Sequence, residues 1–100
     1  MPVSLSFLST LCPKRPDFLA TITPAEKAVM GQHMAYVQQL FDQGKIILGG
    51  AATDGAIGII VWRVDSAEEM PRIYDNDPAV KAGIGHSELH PLRIGLVAGK

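Results

Sequence analysis

Hydrophobic and polar residues alternate along the first segment of the chain, which is the pattern of a β-strand. From Val3 to Leu11, three apolar residues fall on one side, namely Val3, Leu5 and Phe7, and the other side carries Ser4, Ser6, Leu8 and Thr10. The sequence therefore predicts a first strand whose second face is mostly hydroxyl-bearing.

Three more strands are predicted further along the chain. Two apolar runs, Lys45–Ala52 and Ala56–Val64, are joined by Thr53-Asp54-Gly55. Because an Asp-Gly pair favours the positive φ angles of a tight turn, these runs are predicted to form a β-hairpin. The last strand is predicted over Glu88–Val97, where apolar residues again recur at every second position.

Thr23-Pro24-Ala25-Glu26 marks the start of a long helix, with a Thr cap, a proline at the first helical position and a glutamate able to reach back to the cap amide. The helix is predicted to run to Gln43 and to stop at Gly44, which suits a left-handed conformation. One face of this helix is apolar except for a histidine, and it comprises Val29, Met30, His33, Met34, Tyr36, Val37, Leu40 and Phe41.

A second helix start lies at Asp65-Ser66-Ala67-Glu68-Glu69, but Pro71 follows within a few residues. Proline inside a helix removes a backbone hydrogen bond and costs about 3 kcal/mol. We therefore predict an irregular helix that kinks or begins later than the cap suggests. A short final turn of helix is predicted over Asp77–Gly83.

The resulting order of elements is βαββαβ, and two helices cover only one face of a four-stranded sheet. The third strand is nevertheless apolar on both sides, with Ile57, Ile59 and Val61 on one and Ile60, Trp62 and Val64 on the other. Since an exposed apolar sheet face favours association, we predict a homodimer in which a second copy packs on that face.

Composition indicates one globular domain over residues 1–100, because 47% of the residues are hydrophobic, 19% are charged and the net charge is -1. Nucleic acid is not an expected partner. The single cysteine, Cys12, has no mate for an internal disulfide, and the expected location is the cytoplasm. No signal peptide and no membrane-spanning run is recognised, so no membrane association is expected.

Two patterns bear on cofactors. The glycines match no phosphate-binding fingerprint, so no nucleotide cofactor is expected. His86, Glu88 and His90 occupy alternate positions and would share one side of an extended strand, as a metal site with two histidines and one carboxylate requires. A metal-dependent protein is therefore one alternative, whereas chance spacing is the other.

Several short segments together resemble the YCII-related (YciI-like) family, from Phe7 to about Leu92. They are Arg15-Pro16-Asp17-Phe18-Leu19, Thr23-Pro24-Ala25-Glu26, Met30-Gly31-Gln32-His33-Met34-Ala35-Tyr36, Gly44-Lys45-Ile46, Asp77-Pro78 and Ala82-Gly83-Ile84. The resemblance implies a ferredoxin-like α+β fold with a four-stranded antiparallel sheet that dimerises as an α+β barrel. It also implies a site built around His33 and Asp77.

In such a site His33 would transfer a proton, and Asp77 would bind its other ring nitrogen and stabilise the cation. The alternative is a half-buried structural His33 beside an Asp77 that only caps the helical turn at Pro78. Arg15 is a candidate for binding an anionic group of the substrate. Ser6, Ser4 and Arg93 are candidates for the polar side of the same cavity or for the border of the dimer contact.

Three functional hypotheses follow. The first is a small cofactor-independent enzyme of lyase, isomerase or hydrolase type that acts on a small organic acid or aromatic breakdown product through the His33 and Asp77 pair. The second is a non-catalytic protein that binds a small-molecule ligand in the same cavity. The third is the metal-dependent variant that uses His86, Glu88 and His90.

Overall fold

The computed structural model describes residues 5–98. Its elements are β1 (Leu5–Pro13), α1 (Phe18–Thr21), α2 (Pro24–Asp42), β2 (Ile46–Ala51), β3 (Gly58–Val64), α3 (Glu69–Asp75), α4 (Pro78–Lys81) and β4 (Gly85–Leu92). The strands form one antiparallel sheet in the order β2-β3-β1-β4. This is the predicted ferredoxin-like α+β arrangement, with α1 as an additional short turn. Val3 and Ser4 lie outside the described residues.

Helix α2 begins and ends as its sequence predicts. Thr23 and Glu26 form a reciprocal capping box, and Pro24 occupies the first turn. At the other end Gly44 adopts a φ of +80°, and the Lys45 N–H donates to the Leu40 carbonyl, which closes the last turn. None of the helices in the described chain is long and apolar enough to cross a lipid bilayer.

The second predicted helix begins later than its cap residues suggest. Helix α3 starts at Glu69, so Pro71 falls in its first turn, where the backbone N–H has no partner within the helix to lose. The proline is therefore accommodated without a kink. The predicted short turn after Asp77 is also present as α4, and Gly83 follows it with a φ of +63°.

The hairpin between β2 and β3 forms, although its turn differs from the prediction. Only Gly55 has a positive φ, at +78°, whereas Asp54 does not. Instead the Asp54 carboxylate accepts a hydrogen bond of 2.9 Å from the Ala56 N–H. Asp54 thus stabilises the turn through its side chain, and Gly55 alone supplies the left-handed residue.

The last strand is displaced from its predicted range, since it runs over Gly85–Leu92 and not over Glu88–Val97. Over this range it pairs with β1, from Gly85 opposite Pro13 to Leu92 opposite Ser6. Residues 93–98 pair with no strand within residues 5–98, so the alternation predicted there has no counterpart in the described part of the chain.

The two faces of the sheet have different surroundings. Phe7 and Ser9 of β1 lie opposite Trp62 and Ile60 of β3, and this helix face packs under α2 and α3. The buried core on that side consists of Leu40, Ile46, Trp62, Val64, Met70 and Ile73. The opposite face, called the outer face, carries Ser6, Leu8, Thr10, Leu48, Ile59, Val61, Arg63, His86, Glu88 and His90. The helices thus leave the outer face uncovered.

An ion pair holds the connection between β1 and α2. The Arg15 guanidinium donates to both carboxylate oxygens of Glu26 at 2.8 Å and also to the Thr21 carbonyl. The guanidinium carbon lies 5.0 Å from the centre of the Phe18 ring. The bonds from Arg15, followed by that from the Thr23 N–H, hold the pKa of Glu26 at about 2. Arg15 therefore fixes the loop to the helix start.

Replacing Glu26 with Gln should destabilise the protein at pH 7, and the destabilisation should shrink steadily as the pH falls from about 4.5 toward 2. Glutamine can still accept the Thr23 N–H, so the substitution removes chiefly the charge paired with Arg15. Because the pKa of Glu26 falls from an ordinary 4.5 to about 2 on folding, the stabilisation is complete above about pH 4.5 and is lost toward pH 2. Urea unfolding of both proteins at several pH values measures the difference.

Glu68→Gln provides the control, because Glu68 is exposed and has no ion-pair partner among the described residues. Its unfolding midpoint should follow that of the wild type at each pH. A destabilisation by Glu26→Gln that stays constant from pH 7 to pH 2.5 would contradict the role given to the ion pair.

Candidate active site

A cavity of about 500 Å3 lies between α2 and the helix face of the sheet. Most of its wall is apolar, and α2 contributes Met30, Met34, Val37 and Phe41 to it. Met34 and Phe41 belong to the predicted apolar face of the helix and line the cavity, yet they are 60% and 53% exposed. The cavity is therefore accessible from solvent.

His33 and Asp77 meet at this cavity, as the resemblance implied. The His33 Nδ1 lies 2.7 Å from the Asp77 Oδ1, and both side chains are nearly buried. The same Asp77 oxygen accepts the Ala79 N–H at 2.9 Å and thereby caps α4. Asp77 thus caps the helical turn and binds the histidine, so the two roles that the sequence left as alternatives occur together.

The other ring nitrogen of His33 is open to the cavity. A carboxylate only accepts hydrogen bonds, so the Nδ1 carries the proton and the neutral ring keeps a lone pair on Nε2. Within residues 5–98 the Nε2 has no hydrogen-bond partner. Because every buried side-chain nitrogen or oxygen in that range has a partner, the Nε2 is not buried. Since His33 lines the cavity, its Nε2 is positioned to take a proton from a molecule bound there.

Tyr36, one helical turn after His33, ties α2 to α3. Its hydroxyl donates to the Ile73 carbonyl at 2.7 Å. Burial, with a smaller contribution from the Asp77 carboxylate, raises the pKa of the Tyr36 hydroxyl. Tyr36 is therefore a neutral hydrogen-bond donor that helps to hold the histidine helix against the segment that carries Asp77.

Ser9 is a polar residue of the cavity that was not among the predicted site residues. It is 8% exposed, and its Oγ accepts a hydrogen bond of 2.8 Å from the Trp62 Nε1. Strand alternation alone places Ser9 on the same side as Phe7, so it is a hydroxyl on the apolar face. A hydroxyl at an apolar position of the strand was the feature of the sequence that could have indicated Ser9 as a site residue.

The other candidate ligand residues lie away from this cavity. Ser6 is on the outer face, where it pairs with Arg63 and Leu92. Arg93 is exposed and follows the end of β4. Arg15 is bonded to Glu26 and Thr21, and it does not line the cavity. The structure thus brings together His33 and Asp77, and it separates them from Arg15, Ser6 and Arg93.

His86, Glu88 and His90 do share one side of β4, as their spacing predicts, but that side is the outer face. Glu88 accepts one bond from each imidazole, at 3.2 Å from His86 and 2.8 Å from His90. The bond from His90, followed by that from His86, lowers the pKa of Glu88. No three potential ligands in the described chain converge on a common point, so this geometry does not support the metal-dependent alternative.

Fold and site together define a ferredoxin-like α+β domain that carries a histidine–carboxylate pair over an open, mostly apolar cavity. The chain belongs to the YCII-related domain family, whose pattern it matches over residues 7–91. No curated protein matches it in sequence.

A solved structure with a similar fold is that of 5-chloro-2-hydroxyhydroquinone dehydrochlorinase (TftG) from Burkholderia phenoliruptrix AC1100, in complex with 2,5-dihydroxybenzoquinone. The two chains superpose with a TM-score of 0.68 and share 23% sequence identity, over 90% of this chain and 95% of the other. At this level of identity the similarity establishes the common fold.

The tautomer of His33 should depend on Asp77. In the wild type, at a pH where the ring is neutral, 15N chemical shifts should report a protonated Nδ1 and a bare Nε2. In Asp77→Asn the share of this tautomer should fall, because the amide is uncharged and donates as well as accepts. Long-range 1H–15N spectra of labelled protein provide the measurement.

Asp75→Asn is the matched control, because Asp75 is exposed and lies two residues before Asp77. It should leave the His33 signals unchanged. An Nε2-protonated ring in the wild type, or identical tautomer populations in the wild type and Asp77→Asn, would contradict the assigned hydrogen bond.

Proposed function

We propose that this protein is a cofactor-independent enzyme of lyase or isomerase type, which moves a proton on a small ring compound that carries oxygen substituents. The observation on which this rests is the His33 ring, which is bonded to Asp77 through Nδ1 and open to the cavity through Nε2. In this role Nε2 takes the proton, and the Asp77 carboxylate stabilises the imidazolium that forms.

The lining of the cavity favours a ring compound over a small organic acid. Among the described residues, no lysine or arginine lines the cavity, and Arg15 is already paired with Glu26. A carboxylate ligand would therefore be desolvated without a fixed positive charge to bind it. A ring compound instead buries its carbon atoms against the apolar wall, and any negative charge on it is spread over several ring oxygens.

The dehydrochlorinase of similar fold supports this choice by analogy. A dehydrochlorination removes HCl, so chloride leaves the ring and a base must accept a proton. The bound 2,5-dihydroxybenzoquinone in that structure is a small oxygenated ring. In the present chain His33 is the base that such a reaction requires.

We further propose that the protein works as a homodimer whose second copy covers the outer face. The centre of that face is apolar, with Leu8, Ile59 and Val61 side by side on β1 and β3, and Leu48 on β2 is 49% exposed. Charged groups such as Arg63 and Glu88 surround this centre, as in many protein interfaces. A two-fold axis lets the same patch serve both subunits.

Proton transfer by His33 is tested with 2,5-dihydroxybenzoquinone in D2O, where 1H NMR follows exchange of the ring C–H signals. The wild type should accelerate exchange, and His33→Gln should lower the protein-dependent rate by about 100-fold or more, because the imidazole that gives a deuteron to the ring carbon and then removes the proton is lost. Chloride release from 5-chloro-2-hydroxyhydroquinone tests the lyase reaction in the same variants.

Gln32→Ala, an exposed neighbour on the same helix, should retain the wild-type rates. Equal exchange by the wild type and His33→Gln would rule out the proposed base. Binding of the quinone by the wild type without any acceleration of exchange would favour the non-catalytic binding protein.

Dimerisation through the outer face predicts that Val61→Lys is a folded monomer. The two-fold axis brings both new charges into one interface, and the desolvation and repulsion of these charges should weaken the dimer by about 100-fold or more. Sedimentation equilibrium should give the mass of two chains for the wild type and of one chain for the variant. Gln39→Lys, at an exposed position of α2, should remain dimeric. A monomeric wild type, or a dimeric Val61→Lys, would overturn this assignment.

A further inference from the structure

Ser9 is a hydroxyl placed within an apolar row of the sheet. On the helix face it lies between Ile60 of β3 and Leu89 of β4, and its neighbours on the same side of β1 are Phe7 and Leu11. Burying a hydroxyl in such surroundings costs free energy unless it forms hydrogen bonds. The free-energy cost of burying the Ser9 hydroxyl therefore depends on the hydrogen bonds that it makes.

One of these bonds is made to Trp62, whose side chain is almost completely buried. The indole Nε1 donates to the Ser9 Oγ at 2.8 Å, which satisfies the single polar atom of the indole. A serine hydroxyl has two acceptor positions and one proton to donate. The bond from Trp62 occupies one acceptor position, and within residues 5–98 the hydroxyl proton has no acceptor.

This proton is available to the cavity, because Ser9 contributes to the cavity wall together with His33. A hydroxyl that receives an N–H hydrogen bond is polarised and becomes a better donor. Most of the remaining wall is apolar, so an oxygen atom of a bound ring compound needs a partner at this point.

We propose that Ser9 donates its hydroxyl proton to a ring oxygen of the ligand, and so selects compounds with a carbonyl or phenolic oxygen directed toward β1. This inference rests on the proposed function for its ligand class. When His33 Nε2 removes a proton from a tetrahedral ring carbon beside a carbonyl, the electron pair of that C–H bond moves into the ring and onto the carbonyl oxygen, and the Ser9 O–H stabilises the resulting negative charge. Ser9 keeps its proton throughout, because its role is hydrogen bonding alone.

The test is isothermal titration calorimetry with 2,5-dihydroxybenzoquinone. Ser9→Ala should raise the dissociation constant roughly 5- to 15-fold, as the loss of one hydrogen bond to a ligand predicts. Ser6→Ala is the matched control, because Ser6 lies on the same strand but on the outer face. It should bind like the wild type.

A second pair of variants separates the ligand from Trp62, since Ser9→Ala also leaves the indole N–H without its acceptor. Trp62→Phe removes that N–H and retains the Ser9 hydroxyl. In this background Ser9→Ala should again weaken binding by roughly 5- to 15-fold. If the effect vanishes there, Ser9 serves only to satisfy Trp62 and the inference is wrong.

The outcomes also distinguish this inference from the proposed function. Equal affinity of the wild type and Ser9→Ala, with His33-dependent exchange preserved, would overturn the role of Ser9 alone. A wild-type protein that does not bind the quinone would overturn the ligand class, and the role of Ser9 with it.

Discussion

One oxygen atom of Asp77 connects the backbone of α4 to the long helix α2. It accepts the Ala79 N–H, which orients the carboxylate, and it binds the His33 Nδ1, which orients the imidazole. A single-turn helix has little stability of its own, so its position depends on contacts such as these. The wall of the cavity and the direction of the His33 Nε2 therefore both depend on this carboxylate.

The Tyr36 hydroxyl supports the same arrangement from a neighbouring turn of α2. Its bond to the Ile73 carbonyl fixes the helix against the end of α3, only a few residues before Asp77. The two bonds lie on the same side of α2 and limit its rotation about its axis. The proposed role of His33 requires this kind of constraint, because a small rotation of the helix would move the ring away from Asp77.

Local signals in the sequence predicted local structure well, whereas features that depend on distant pairing were less accessible. The capping box at Thr23 and the stop at Gly44 need only neighbouring residues, and both are present. The extent of β4 depends on pairing with a distant strand, so the alternation up to Val97 did not reveal that the described pairing with β1 ends at Leu92. Likewise, His33 and Asp77 are 44 residues apart, and family resemblance rather than spacing connected them. The Arg15 pair with Glu26 was missed because each residue already had another plausible role.

The two faces of β1 separate two kinds of polar chemistry. Glu88 and its two histidines lie on the outer face, whereas His33 and Ser9 lie beneath α2 in apolar surroundings. A shift of one residue in the register of β1 would exchange Ser9 for Thr10 and bring hydroxyls and apolar side chains to the wrong faces. The observed register pairs Ser9 with Ile60 on one side and Leu89 on the other, and this keeps Ser9 on the helix face. The sheet register thus determines which polar groups of β1 face the cavity.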